Sequence, residues 1–123
     1  MRCGMIGVFW SATAHPELMR PFTGEIEISE DAKFTGQVGD PWGEASLEGE
    51  FRGRSLCFRK EYIPGKSRGG AEGKIPYFLN NLGAINNDGS QEVCGGFKGF
   101  CEVPREDGRK SKWSVTCVIF ALP

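Results

Sequence analysis

"FTGQVGDPWGEASLEGEF", residues 34–51, is the stretch from which the fold can be worked out. Twice it sets a glycine between two large apolar residues at alternate positions, as Phe34, Gly36, Val38 and as Leu47, Gly49, Phe51. Alternation with a period of two is the signature of a strand with one buried face. Between the halves, Asp40-Pro41-Trp42-Gly43 carries the side chains of a type I turn: Asp first, Pro second and Gly last. The stretch therefore predicts a hairpin. Its inward face is interrupted by residues with no side chain.

The same alternation extends along the chain, and no segment sustains a helical period. Eight strands are predicted, at about residues 4–10, 22–29, 33–39, 44–51, 54–62, 74–81, 92–101 and 112–121. Arg52-Gly53, Asn87-Asp88-Gly89 and Asp107-Gly108 supply further turn signals. The segment 63–73, "IPGKSRGGAEG", reads as the longest polar connection. Eight short strands joined mostly by tight turns predict a single all-β domain over 1–123, an eight-stranded antiparallel up-and-down barrel.

Turn lengths then predict the register. A three-residue loop at 30–32 pairs Ile28 with Phe34 and Gly24 with Val38. The turn at 40–43 pairs Val38 with Ala45 and Phe34 with Gly49. A turn centred on Arg52-Gly53 pairs Gly49 with Leu56, Leu47 with Phe58 and Ala45 with Lys60. All three place the apolar residues on one face. Each strand glycine then lies beside large neighbours, as a narrow barrel interior requires. A two-residue turn at Asp107-Gly108 gives a conflict: it sets Val93, Phe97 and Cys101 opposite the polar side of the last strand. A longer loop or a bulge would remove it.

This register puts a cation inside. Lys60 falls in a row with Gly24, Val38 and Ala45; the next row, at the mouth, reads Phe22, Asp40, Gly43 and Tyr62. A buried ammonium needs a partner, and Asp40 is within reach. Tyr77 joins the inward face if Ile75-Pro-Tyr77-Phe-Leu79 keeps the alternation. Trp42, on a turn, is the tryptophan best placed to meet a ligand, whereas Trp10 and Trp113 read as core. The expected ligand site is Lys60, Tyr62, Tyr77, Trp42 and Asp40. The competing readings are a Lys60 that snorkels to the rim and an Asp40 that only caps its own turn.

The remaining features mostly exclude. With 15 Lys and Arg against 16 Asp and Glu, the formal charge is −1, which argues against nucleic acid as a partner. No apolar run approaches a membrane helix, so no membrane partner is expected. Five cysteines without a Cys-x-x-Cys, and the single His15, predict neither a metal site nor a catalytic triad. Cys94 and Cys101 would stand roughly 23 Å apart on one strand, beyond disulfide reach. Free thiols and a cytoplasmic location are expected. The start of the chain, with Ala12-Thr-Ala14, reads as a first strand rather than a signal peptide. Cys57, Phe78, Val118 and Phe120 fall on the outer face, a candidate homodimer surface.

Phe34-x-Gly36-x-Val38-x-Asp40-x-x-Gly43, Leu47-x-Gly49 and Phe58-x-Lys60-x-Tyr62 together resemble small proteins with an avidin-like or lipocalin-like, calycin-type barrel. The resemblance covers the middle third of the chain and implies a meander barrel with a ligand cavity at one end. The chain lacks the polar and Trp-rich cluster that avidins place around biotin. Gly7-Val-Phe-Trp10 only approximates the Gly-x-Trp opening of lipocalins. The expected function is binding of a small, partly apolar ligand that is anionic or carbonyl-bearing, without catalysis and without a cofactor. The alternatives are an interaction module with a filled barrel, and a barrel enzyme using Lys60 as acid, base or amine nucleophile.

Overall fold

In the computed structural model, which describes residues 1–11, 19–69, 71–83 and 94–123, eight strands close into one antiparallel barrel. They are β1 (Arg2–Ser11), β2 (Arg20–Ile28), β3 (Lys33–Asp40), β4 (Gly43–Arg52), β5 (Ser55–Ser67), β6 (Ile75–Asn81), β7 (Gly95–Pro104) and β8 (Lys110–Ala121). Each strand pairs with the next, and β8 returns to pair with β1. Closure leaves no strand edge open to other chains. His15, the Ala12-Thr-Ala14 stretch, the Asn87-Asp88-Gly89 turn signal and Val93 lie outside the described residues.

Two expected registers hold residue for residue: Ile28 opposite Phe34 and Gly24 opposite Val38, then Val38 opposite Ala45 and Phe34 opposite Gly49. The β4–β5 register differs by two residues. Phe51 pairs with Leu56, Gly49 with Phe58, Leu47 with Lys60 and Ala45 with Tyr62. The turn is centred one residue later, on Gly53 and Arg54, with Gly53 at φ 57°. Glycine is the residue that a tight hairpin turn favours at such a φ. A shift of two keeps every side chain on its face. It moves Lys60 one row deeper than expected, level with Leu47 and Ile75.

The β7–β8 conflict is resolved by a longer loop. Pro104 pairs with Lys110, and the intervening loop is tied by the Arg105 N–H to the Arg109 carbonyl at 2.8 Å. Cys101 then faces Trp113, and Phe97 faces Cys117. The segment 63–73 is corrected in part, since β5 continues through Ser67. The register breaks between Gly43 and Ala45, so that Gly43 pairs with Ser67 while Ala45 pairs with Tyr62. The extra β5 residues bulge beside the barrel mouth.

The strand glycines have a steric cause. A Cβ at Gly49 would lie 2.3 Å from the Cys57 carbonyl oxygen and 2.4 Å from the Phe58 Cβ. One at Gly36 would meet the Glu25 carbonyl oxygen at 2.4 Å and Ile26 Cγ2 at 2.6 Å. The obstacle is largely the neighbouring backbone, which cannot rotate away as a side chain can. These glycines let adjacent strands coil closely enough to close the ring.

Inside, Ile26, Leu56, Leu79, Phe97, Val115 and Ile119 are almost fully buried. At about 1.5–3 kcal/mol for each large side chain removed from water, they form the main cohesive term. Phe9, not Trp10, takes the inward place on β1: Phe9 is buried and Trp10 only half-buried. Phe78, Val118 and Phe120 stand exposed on the outer wall, as their alternation predicts.

Candidate functional site

The site lies at the barrel mouth that the β3–β4 turn overhangs. Lys60 projects inward from β5 and is 2 % exposed. Its ammonium pairs with the carboxylate of Asp40, the last residue of β3, whose side chain is fully covered. An isolated charge at such a position would be very costly, so the pairing is a condition of the fold.

Asp40 is held from three directions. Its Oδ2 accepts from the Lys60 ammonium and from the Tyr62 hydroxyl, the latter at 2.6 Å. Its Oδ1 accepts the Trp42 backbone N–H at 2.8 Å. The two readings of this residue are thus combined: it caps its own turn and neutralises Lys60. Tyr62 sits one turn of the alternation along from Lys60, opposite Ala45, where a small side chain leaves room for its ring.

Aromatic faces complete the surroundings of the cation. The Lys60 Nζ lies 4.8 Å from the ring centres of Phe9 and of Tyr62, and 5.9 Å from that of Tyr77. Such faces attract a cation most where water is excluded. The Tyr77 hydroxyl is 3.5 Å from Nζ, and its ring stacks on Phe58 at 4.5 Å. Cys101 stands opposite Tyr77 as its cross-strand partner.

Burial sets the proton affinities. Desolvation lowers the Lys60 pKa from its ordinary 10.5, while the hydrogen bond and charge of Asp40 pull it back up. Desolvation raises the Tyr62 hydroxyl well above 10.0, and the Asp40 carboxylate adds to the rise. Tyr77 is raised well above 10.0 for the same first reason. Cys101 is pushed up to about 11 by burial, opposed by the Tyr77 hydrogen bond and the Lys60 charge. At neutral pH the tyrosines and Cys101 therefore carry protons. That makes Cys101 a poor nucleophile.

Above Lys60 a cleft of about 1000 Å³ opens between the strand ends and the β7–β8 loop. Lys60, Tyr62 and Tyr77 contribute to its floor, and Phe9, Trp42 and Trp113 form an aromatic wall. Trp42 stacks on Phe9 at 5.7 Å and meets Trp113 edge-on at 6.4 Å. Glu72, Arg105, Glu106 and Asp107 provide a charged rim. A large apolar-walled cleft with few converging polar groups is the usual form of a small-molecule site.

All five expected residues meet here. Lys60, Asp40, Tyr62 and Tyr77 form one hydrogen-bonded group, and Trp42 folds back over the mouth instead of standing out in solvent. Sequence reasoning missed Phe9, Trp113 and Cys101 as members. The alternation Met5-x-Gly7-x-Phe9 carried a signal for the first. Nothing local carried one for Cys101, because its position opposite Tyr77 depends on β6–β7 pairing across a long separation.

Among the described residues no group of three His, Cys, Asp or Glu side chains is arranged to hold a metal ion, and no helix is long and apolar enough to cross a membrane. Comparison with protein-family models, curated proteins and solved structures returns no match. The architecture itself, a closed eight-stranded antiparallel meander, is compatible with a calycin-like fold.

Proposed function

We propose that this protein is a non-enzymatic binder of a small, partly apolar ligand, in the manner of lipocalin-like or avidin-like barrels. The observation that carries the reading is the aromatic cleft of about 1000 Å³ with the Lys60–Asp40 pair at its floor. An apolar ligand body would cover Phe9, Trp42 and Trp113, and a polar end would reach the Lys60 ammonium. Five free cysteines, three of them buried, support a reducing compartment such as the cytoplasm.

The test is a thermal-shift screen of small aromatic carboxylates and carbonyl compounds against the native protein and Lys60→Met. The expected result is stabilisation of the native protein that the variant loses. Equal shifts in both proteins would remove Lys60 from the site.

A second reading has an observation of its own. Ile6, Val118 and Phe120 are exposed on the β8–β1 wall and Phe78 on β6. The β2–β4 wall instead presents Glu25, Glu27, Glu44, Glu48 and Glu50. The apolar wall favours self-association through that face. Light scattering should then show a dimer that Val118→Lys dissociates; a native monomer at high concentration would end this reading.

A further inference from the structure

We infer that the cleft is selective for an uncharged ligand with a hydrogen-bond acceptor, such as an amide or ketone carbonyl, over the matching anion, and that Asp40 sets this preference. The inference rests on the reading that the cleft binds a small molecule, and it narrows the class of ligand.

Charge is the first ground. A buried lysine alone would invite a carboxylate, but here the countercharge is built in. Asp40 neutralises Lys60 under the same cover, with side-chain exposures of 0 % and 3 %. Adding an anion would leave one net negative charge in a largely desolvated site. Its own hydration would be lost, with no unpaired cation at the floor to replace it. The rim offers Arg105 but also Glu72, Glu106 and Asp107, so its formal charge is negative as well.

Hydrogen-bond inventory is the second ground. The Asp40 carboxylate already accepts from Lys60, Tyr62 and the Trp42 backbone. The Tyr62 proton goes to Asp40, and the Tyr77 oxygen faces the Lys60 ammonium. Lys60 has three N–H donors. One is taken by Asp40 and a second meets the Tyr77 oxygen at a long 3.5 Å. The third finds no oxygen acceptor among the described residues, only the aromatic faces. The buried polar capacity left over at the floor is therefore a donor in a group that is already charge-balanced. A neutral carbonyl oxygen supplies what is missing without disturbing that balance.

The experiment measures binding of two matched pairs by calorimetry: cinnamamide against cinnamate, and 2-naphthamide against 2-naphthoate. Native protein should bind each amide at least about tenfold tighter than its carboxylate, since tenfold is the smallest ratio expected from leaving a charge uncompensated. In Asp40→Asn the lone ammonium should reverse the order. Tyr62→Phe, which keeps the ion pair, should retain the native order. Carboxylates that equal or exceed the amides in native protein overturn the inference while leaving the binding function in place. Failure of all four compounds to bind counts against the binding function itself. Because the native comparison needs no variant, a misfolded Asp40→Asn leaves the decision intact.

Discussion

The two ends of the barrel interior are built from similar parts and come to different ends. At one, Phe34, Phe51 and Phe97 meet at 5.5 and 6.0 Å between ring centres, all buried. At the other, Phe9, Trp42 and Trp113 meet at 5.6, 5.7 and 6.4 Å. The first cluster fills its end with dry packing. The second roofs an ion pair and borders a cleft. An aromatic cluster is thus no mark of a site by itself. What separates the ends is the Lys60–Asp40 pair under the second cluster, a group that cannot be packed away and must be balanced where it lies.

That contrast is most sharply tested by removing one member from each end. Phe97→Ala should lower unfolding free energy by about 3–5 kcal/mol through the cavity it leaves. Lys60→Met should lower it by about as much, because Asp40 is left buried without its cation. The repair differs. Adding Asp40→Leu to Lys60→Met should recover part of the loss at the mouth, since an apolar pair of similar volume can replace a buried ion pair, while the Tyr62 hydroxyl and the Trp42 N–H lose their acceptor. Urea unfolding of the three variants measures this, and a double variant no more stable than Lys60→Met alone would show that the pair acts through packing and not charge.

A smaller effect separates glycines that close the ring from one that does not. Gly49→Ala should cost about 1–3 kcal/mol, because its new methyl group meets the β5 backbone. Gly39→Ala, with nothing within 4 Å of the added atom, should stay within about 0.5 kcal/mol. Equal losses at the two positions would show that close strand approach does not set the cost.

The smallest expected effect is in pH dependence. Folding lowers the Lys60 pKa below 10.5, so between the folded and unfolded values the unfolded chain holds more protons. Stability should rise with pH in that window, by at most about 1.4 kcal/mol per pH unit for one group. Tyr62 and Tyr77 act in the opposite sense: raised above 10.0, they contribute stability below that value and lose it as pH climbs through their folded pKa values. Cys101 and Cys117, raised by burial from 9.0 to about 11 and about 12, act in the same sense as the tyrosines from pH 9 upward. The urea midpoint should therefore fall above about pH 9, and Lys60→Met, which removes the opposing contribution, should steepen that fall. As Tyr62 and Tyr77 are the only two tyrosines, phenolate absorbance should appear together with unfolding and not before it. Phenolate signal from fully folded protein would mean that the mouth is wetter than its burial implies.

Much of this was legible in the chain itself. Alternation identified the strands, Asp40-Pro41-Trp42-Gly43 identified a turn, and parity placed Lys60, Tyr62 and Tyr77 on the inner face. Parity is a local property, since side-chain direction along a strand needs no knowledge of the partner. Even the two-residue error at the β4–β5 turn left every face assignment intact.

Depth was decided only by tertiary structure. The shift to a Gly53-Arg54 turn lowered Lys60 from the row of Ala45 to that of Leu47, and so turned a lysine near the rim into a buried one. Pairing of β6 with β7 brought Cys101 to Tyr77, and closure of β8 on β1 brought Phe9 and Trp113 together over the mouth. Sequence determines which way a side chain points because that follows from neighbouring covalent geometry. How far down it sits, and what stands across from it, follows from ring closure, which couples residues far apart in the chain.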